Sequence, residues 1–132
     1  MANFRDLEIE GRRGVYYIPK VHFQVQTGIC LIEGESHVED AYSFYQPIRQ
    51  WIQNYIQEVK GDLHFDIRLS YMNSSSSKSI LIILKELKAY QESGGKVEMK
   101  WYYRENDTDM LDDVEDLIAE SGLKINLLPI EE

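Results

Sequence analysis

Hydrophobic and polar positions change rhythm several times along the chain, and each change predicts an element. Leu7 and Ile9 alternate with charged neighbours, as in a short strand, before the turn-prone stretch Gly11-Arg12-Arg13-Gly14. Val21, Phe23 and Val25 alternate next, Gln26-Thr27-Gly28 offers a turn, and residues 29–32 run back as an apolar strand. A β-hairpin is predicted there, ending at Gly34-Glu35-Ser36. From about Asp40 the period becomes helical, with Ala41, Phe44, Tyr45, Ile48, Trp51, Ile52, Tyr55 and Val59 on one face. Pro47 lacks an N–H and crowds the preceding turn, so it is expected to kink this helix or to open it, leaving 40–46 as a separate turn.

After Gly61 the alternation returns. Leu63, Phe65, Ile67, Leu69 and Tyr71 are expected on one face of a strand, with His64, Asp66, Arg68 and Ser70 on the other. The polar run Asn73-Ser74-Ser75-Ser76-Ser77 leads into a helical stripe of Ile80, Leu81, Ile83, Leu84, Leu87 and Tyr90, closed by Gly94-Gly95. Val97, Met99, Trp101 and Tyr103 make another strand. Asp107 or Thr108 caps a third helix carrying Met110, Leu111, Val114, Leu117 and Ile118; Gly122 ends it, and a last strand covers 123–128. Strands followed by three helix–strand repeats predict an α/β fold: a mixed β-sheet with an N-terminal β-hairpin and three helices packed against it, as a single domain over residues 1–132.

Composition agrees with a folded core, since 43% of the 132 residues are hydrophobic and 11% aromatic. A net charge of −9 argues against nucleic acid, whose binding relies on Lys and Arg displacing counterions, and would steer the chain toward basic protein surfaces. The longest apolar runs are too short to cross a bilayer, and Met1-Ala2-Asn3-Phe4-Arg5-Asp6 has no basic stretch leading into an apolar one. A cytoplasmic protein without membrane insertion is expected. Cys30, the single cysteine, lies in a strand-like segment and reads as a buried thiol in a reducing compartment.

Catalytic chemistry finds no anchor. His22, His37 and His64 lack metal-ligand spacing, and one cysteine cannot build the common zinc sites. Asp107, Asp109, Asp112, Asp113, Glu115 and Asp116 lack the spacing of an EF-hand loop and read as a solvated face at a helix start, where carboxylates suit the dipole. A nucleophile elbow, a P-loop and a dinucleotide fingerprint are all missing. No catalytic residue, metal or cofactor is therefore expected.

The serine run remains. Unpaired N–H groups at a helix start suit an attached phosphate, which would add roughly −1.5 to −2 charges there. Serine is equally a preferred helix cap, so the run has an ordinary structural reading as well. The segment Tyr71-Met72-Asn73-Ser74-Ser75-Ser76-Ser77-Lys78 resembles the Tyr-Leu-Asn-Thr-Ser-Ser-x-Lys motif of the SiaC family of bacterial regulatory phosphoproteins. Gly34-Glu35-Ser36 with Glu39, Phe44-Tyr45-x-Pro47-Ile48 with Trp51, and Trp101-Tyr102-Tyr103 before Asp109-Met110-Leu111 extend the likeness over nearly the whole chain.

This resemblance implies a STAS-like fold and a phosphorylated hydroxyl at Ser74, where the family carries Thr, with Ser75 next in line. It also implies a partner kinase, a PP2C-type phosphatase and, for the unmodified form, a diguanylate cyclase whose cyclic di-GMP output controls biofilm behaviour. Residues expected at the partner surface are Asn73, Ser75, Ser76, Lys78, Glu35, Ser36 and Glu39. Strand alternation adds Tyr102, on the face opposite Trp101 and Tyr103. Three other readings compete: an anti-sigma factor antagonist that captures a GHKL-type kinase, an enzyme with a metal on the Asp-rich helix, and an interaction module without phosphorylation.

Overall fold

The computed structural model describes residues 4–14 and 16–131. Met1, Ala2 and Asn3 of the N-terminal stretch, and positions 15 and 132 of the expected domain, lie outside the described residues.

The predicted hairpin forms between β2 (Lys20–Phe23) and β3 (Ile29–Ser36), and β1 (Leu7–Ile9) pairs antiparallel with β2 at the sheet edge. Its turn depends on Gly28, which has a φ of 72°; a Cβ there would lie 2.0 Å from the Asp62 carbonyl oxygen. From β3 onward, helices and strands alternate: α1 (Ala41–Asn54), β4 (Leu63–Met72), α2 (Ser74–Glu92), β5 (Val97–Arg104), α3 (Thr108–Ser121) and β6 (Asn126–Ile130). The pairs β3–β4, β4–β5 and β5–β6 are parallel, so among the described residues the sheet order is β1-β2-β3-β4-β5-β6. Three successive crossovers of one hand place the helices side by side on one face, α1 against α2 and α2 against α3. The expected α/β arrangement, hairpin and three helices included, is observed.

The inward positions of the central strands, Cys30, Ile32, Phe65, Ile67, Leu69, Met99 and Trp101, are buried beneath Tyr45, Ile48, Ile52, Ile83, Leu84, Leu87, Val114 and Leu117 of the helices. Alternate positions such as Glu33, His64, Arg68 and Glu98 face solvent on the uncovered side.

Four local expectations are corrected. Helix α1 starts at Asp40, whose carboxylate accepts from the Ser43 N–H, and it runs on through Pro47 without a separate turn over 40–46. Pro47 and Ser43 are exposed, so water can satisfy the Ser43 carbonyl that Pro47 leaves without a helical donor. The helix then loosens into a π-helical turn, Tyr55–Val59, ended by Lys60 at a φ of 57°. Gly34-Glu35-Ser36 are the last three residues of β3 rather than a break after it, so the strand runs on past Ile32 to Ser36. The last strand begins at Asn126 rather than 123, because Leu123 and Ile125 are buried in the core before the chain reaches the edge of β5.

Strand β4 departs from simple alternation at the site itself. Gly34 and Glu35 on β3 oppose Leu69 and Tyr71 on β4, so Ser70 is an extra residue, a β-bulge that reverses the side-chain phase. Tyr71 is therefore 47% exposed and Met72 is buried in its place.

Candidate functional site

The C-terminal ends of the parallel strands β3 and β4 meet the start of α2, and the serine run lies at this junction. Asn73 caps the helix: its Oδ1 accepts from the Ser76 N–H at 3.0 Å and its carbonyl from the Ser77 N–H at 2.9 Å. The cap is itself fastened, since Asn73 N–H donates to the Ser36 carbonyl at 3.0 Å and Nδ2 donates to the Val38 carbonyl at 3.2 Å. Asparagine, not serine, is thus the cap, and Ser74 becomes the first helical residue.

Beneath the cap lies a buried chain of hydroxyls. Ser36 Oγ donates to Ser76 Oγ at 2.8 Å, and Ser76 Oγ donates to the Ser36 carbonyl at 3.2 Å. Each serine proton is then used, which leaves the Tyr45 hydroxyl to donate to Ser36 Oγ at 2.7 Å. All three residues are fully buried, and burial pushes the Tyr45 phenol up to about 12.

Ser74 lines two open cavities, one of about 360 Å³ toward the second half of α3 and one of about 520 Å³ toward its first half. Asp113 borders both, Asp116 and Glu120 wall the first, and Asp107, Asp109 and Asp112 wall the second; Lys78 is the single cation among the described lining residues. Desolvation, and then the neighbouring Asp109, Asp116, Asp112 and Asp107, raise the Asp113 carboxyl above its ordinary value.

The expected surface residues divide. Ser74, Ser75 and Lys78 are exposed on the first turn, Asn73 is half-buried, and Glu39 is exposed in the loop before α1. Glu35 is half-buried and lies 3.9 Å from the Arg13 guanidinium. Ser36 and Ser76 do not face a partner: both are sealed in the interior, where their hydroxyls bind each other. Tyr102 lies on the uncovered face of the sheet with the Arg68 guanidinium 3.8 Å above its ring, and it borders neither Ser74 cavity.

Sequence reasoning missed the carboxylate wall opposite Ser74, because nothing local to residues 107–120 tells that α3 packs beside α2. It also missed an exposed ring ladder next to the cap, in which Tyr16 stacks on His37 at 5.9 Å and His37 meets Tyr71 at 5.8 Å. Only the Ser70 bulge turns Tyr71 outward to join it. Among the described residues no three His, Cys, Asp or Glu side chains gather as a metal site requires, and no helix is long and apolar enough to cross a membrane.

The fold is that of a small α/β domain with an exposed serine at the head of a helix. The model of the SiaC family of regulatory phosphoproteins matches residues 10–130, and the chain belongs to that family. An uncharacterised protein of Pseudomonas aeruginosa is 29% identical over 98 residues, covering 74% of this chain and 75% of that protein. Two solved structures share the fold. Apo-SiaC from Pseudomonas aeruginosa has a TM-score of 0.83 at 24% identity, covering 93% of this chain and 98% of the other. A chain from the complex of the diguanylate cyclase SiaD with its activator SiaC, also from Pseudomonas aeruginosa, has a TM-score of 0.86 at 23% identity, covering 95% and 100%.

Proposed function

We propose that this chain is a non-catalytic cytoplasmic switch: the Ser74 hydroxyl is phosphorylated by a partner kinase and freed by a PP2C-type phosphatase, and the unmodified form binds a diguanylate cyclase and tunes cyclic di-GMP synthesis and hence biofilm formation. The observation that carries this reading is the state of Ser74. It is exposed on the first turn of α2, and among the described residues its hydroxyl has no hydrogen-bond partner; the Ser75 and Ser76 hydroxyls are bonded, and Ser77, whose hydroxyl also has no partner there, is half-buried. The partner class is supported by the complex of SiaD with its activator SiaC, a protein of the same fold.

Phosphate on Ser74 would act in two ways. It would place roughly −1.5 to −2 charges at the mouth of both cavities, facing the carboxylates of α3. It would also force any partner seated on this turn to desolvate a dianion, and a loss of about 3 kcal/mol already lowers affinity more than a hundredfold.

The test is binding to, and cyclic di-GMP production by, a diguanylate cyclase of the same cells, with purified wild type, Ser74→Ala, Ser74→Asp and Ser75→Ala. Ser74→Ala and Ser75→Ala are expected to bind and stimulate like unmodified wild type, and Ser74→Asp to lose at least about tenfold in affinity. Full stimulation by Ser74→Asp, or recovery of a GHKL-type kinase in place of a cyclase, would overturn the reading.

A further inference from the structure

Four consecutive serines, residues 74–77, open α2, yet their hydroxyls stand in different environments. Ser76 is fully buried in the chain Tyr45–Ser36–Ser76, which joins α1, the end of β3 and α2. Ser75 is exposed, but its hydroxyl donates to the Asn73 cap oxygen at 3.3 Å. Ser77 is half-buried. At about 100° per residue, Ser74 lies roughly 200° around the helix from Ser76, so anchoring Ser76 inward turns Ser74 outward.

We propose that Asn73 and the buried hydroxyls of Tyr45, Ser36 and Ser76 are positioning residues that select Ser74 as the phosphoacceptor. The proposal rests on the reading of Ser74 as the modified residue and adds what makes it so. In the transfer, Ser74 Oγ forms a bond to the γ-phosphorus of the kinase's nucleoside triphosphate while the β–γ bridging P–O bond breaks. The diphosphate leaves with the electron pair, and the serine proton passes to a base of the kinase. An acceptor must be free to rotate into line and to give up its proton. Ser74 meets both conditions; Ser75 must first break its bond to Asn73, Ser76 would have to leave the interior, and Ser77 is half-buried further into the helix.

The fixed first turn also explains how the run can be rich in hydroxyls without being modified at random. Asn73 performs two tasks at once, since the oxygen that caps the Ser76 N–H also holds the Ser75 hydroxyl. Asn73→Ala removes the hold on Ser75 directly. Ser76→Ala removes the inward anchor, lets the first turn swing, and frees Ser75 by a second route. Asn73→Asp keeps the oxygen that accepts from the Ser76 N–H and the Ser75 hydroxyl, gives up only the Nδ2–H bond to the Val38 carbonyl, and serves as the rescue of the Ser75 hold.

The experiment expresses wild type, Asn73→Ala, Ser76→Ala and Asn73→Asp in the native cells, purifies each with phosphatase inhibitors, and maps phosphate on residues 74–77 by fragment mass spectrometry. Circular dichroism selects the folded variants. Wild type and Asn73→Asp are expected to carry phosphate on Ser74. In Asn73→Ala and Ser76→Ala the ratio of Ser75 to Ser74 phosphate is expected to rise about fivefold or more, the factor that release of one hydrogen bond supports. Tyr45→Phe, which keeps the packing and removes one donor, moves the ratio the same way if either variant fails to fold. A ratio unchanged from wild type in the folded variants shows that the kinase alone chooses and overturns the proposal. Wild type carrying no phosphate on any serine of the run sinks the reading of Ser74 itself, a distinct failure.

Discussion

Tyr45 illustrates how one buried hydroxyl can matter to both stability and presentation of the switch. Its proton is given to Ser36 Oγ inside a fully buried chain, so Tyr45→Phe leaves an acceptor lone pair without its donor but opens no cavity. A cost of about 1–2 kcal/mol is expected, seen as a lower urea midpoint with unchanged slope. The pH dependence is a second signature. Burial raises the folded pKa of Tyr45 from 10.0 to about 12, which means the folded state holds its proton longer than the unfolded chain does. Its contribution to stability is then fully present below pH 10 and is lost as pH climbs toward 12. Tyr55 and Tyr90 shift in the same direction, chiefly by desolvation, so the alkaline loss in Tyr45→Phe should be shallower than in wild type without disappearing. An alkaline slope equal to that of wild type would contradict the buried-phenol account.

At the scale of elements, Pro47 is the residue least suited to its place. It sits inside α1, past the first turn, and it is exposed, so its contribution to the core is small. Pro47→Ala restores an N–H to the Ser43 carbonyl and should raise stability by about 1–2 kcal/mol, less than the ~3 kcal/mol helix penalty of proline because the unfolded chain also gains freedom. Thermal melting of the two proteins measures this directly. Element identity was otherwise legible because the signals are local: alternation in β4 and β5, the 3.6-residue stripes of α1, α2 and α3, and the stop at Gly122, which adopts a φ of 73°. What escaped was non-local. The Ser70 bulge is fixed by the pairing of β4 with β3, so a single strand read alone puts Tyr71 inward. Burial of Ser36 and Ser76 likewise follows from α1 delivering Tyr45 beside them, which neither serine's neighbours announce. The helix start itself was found, because a polar run before an apolar stripe is a local signal, although the cap expected from the serines is supplied by Asn73.

For the whole molecule, the net charge of −9 is less important than where it gathers. Six acidic side chains of residues 107–120 border the cavities that Ser74 opens into, with Lys78 as the nearest counterweight among the described lining residues. By Coulomb's law a phosphate charge and a carboxylate roughly 8 Å apart at an effective dielectric of about 40 would repel by about 1 kcal/mol, and several such pairs would act on α3 together. The N-terminal partial charge of α2 opposes this but amounts to only about half a unit. Phosphorylated protein is therefore expected to exchange the amides of α3 faster than unmodified protein, while α1 and the sheet stay unchanged. Screening predicts that about 0.5 M salt removes most of the difference. Asp113→Asn should do the same at low salt, since Asp113 borders both cavities. In unmodified protein the raised pKa of Asp113 favours the folded state below the ordinary value of 3.8, and that advantage is lost as pH rises through the raised value. Asp113→Asn should accordingly melt slightly higher than wild type at pH 7 and show no advantage below that ordinary value. Equal exchange of α3 in the two phosphorylation states at low salt would separate partner repulsion from this internal strain and leave the desolvation cost at the docking surface as the operative term.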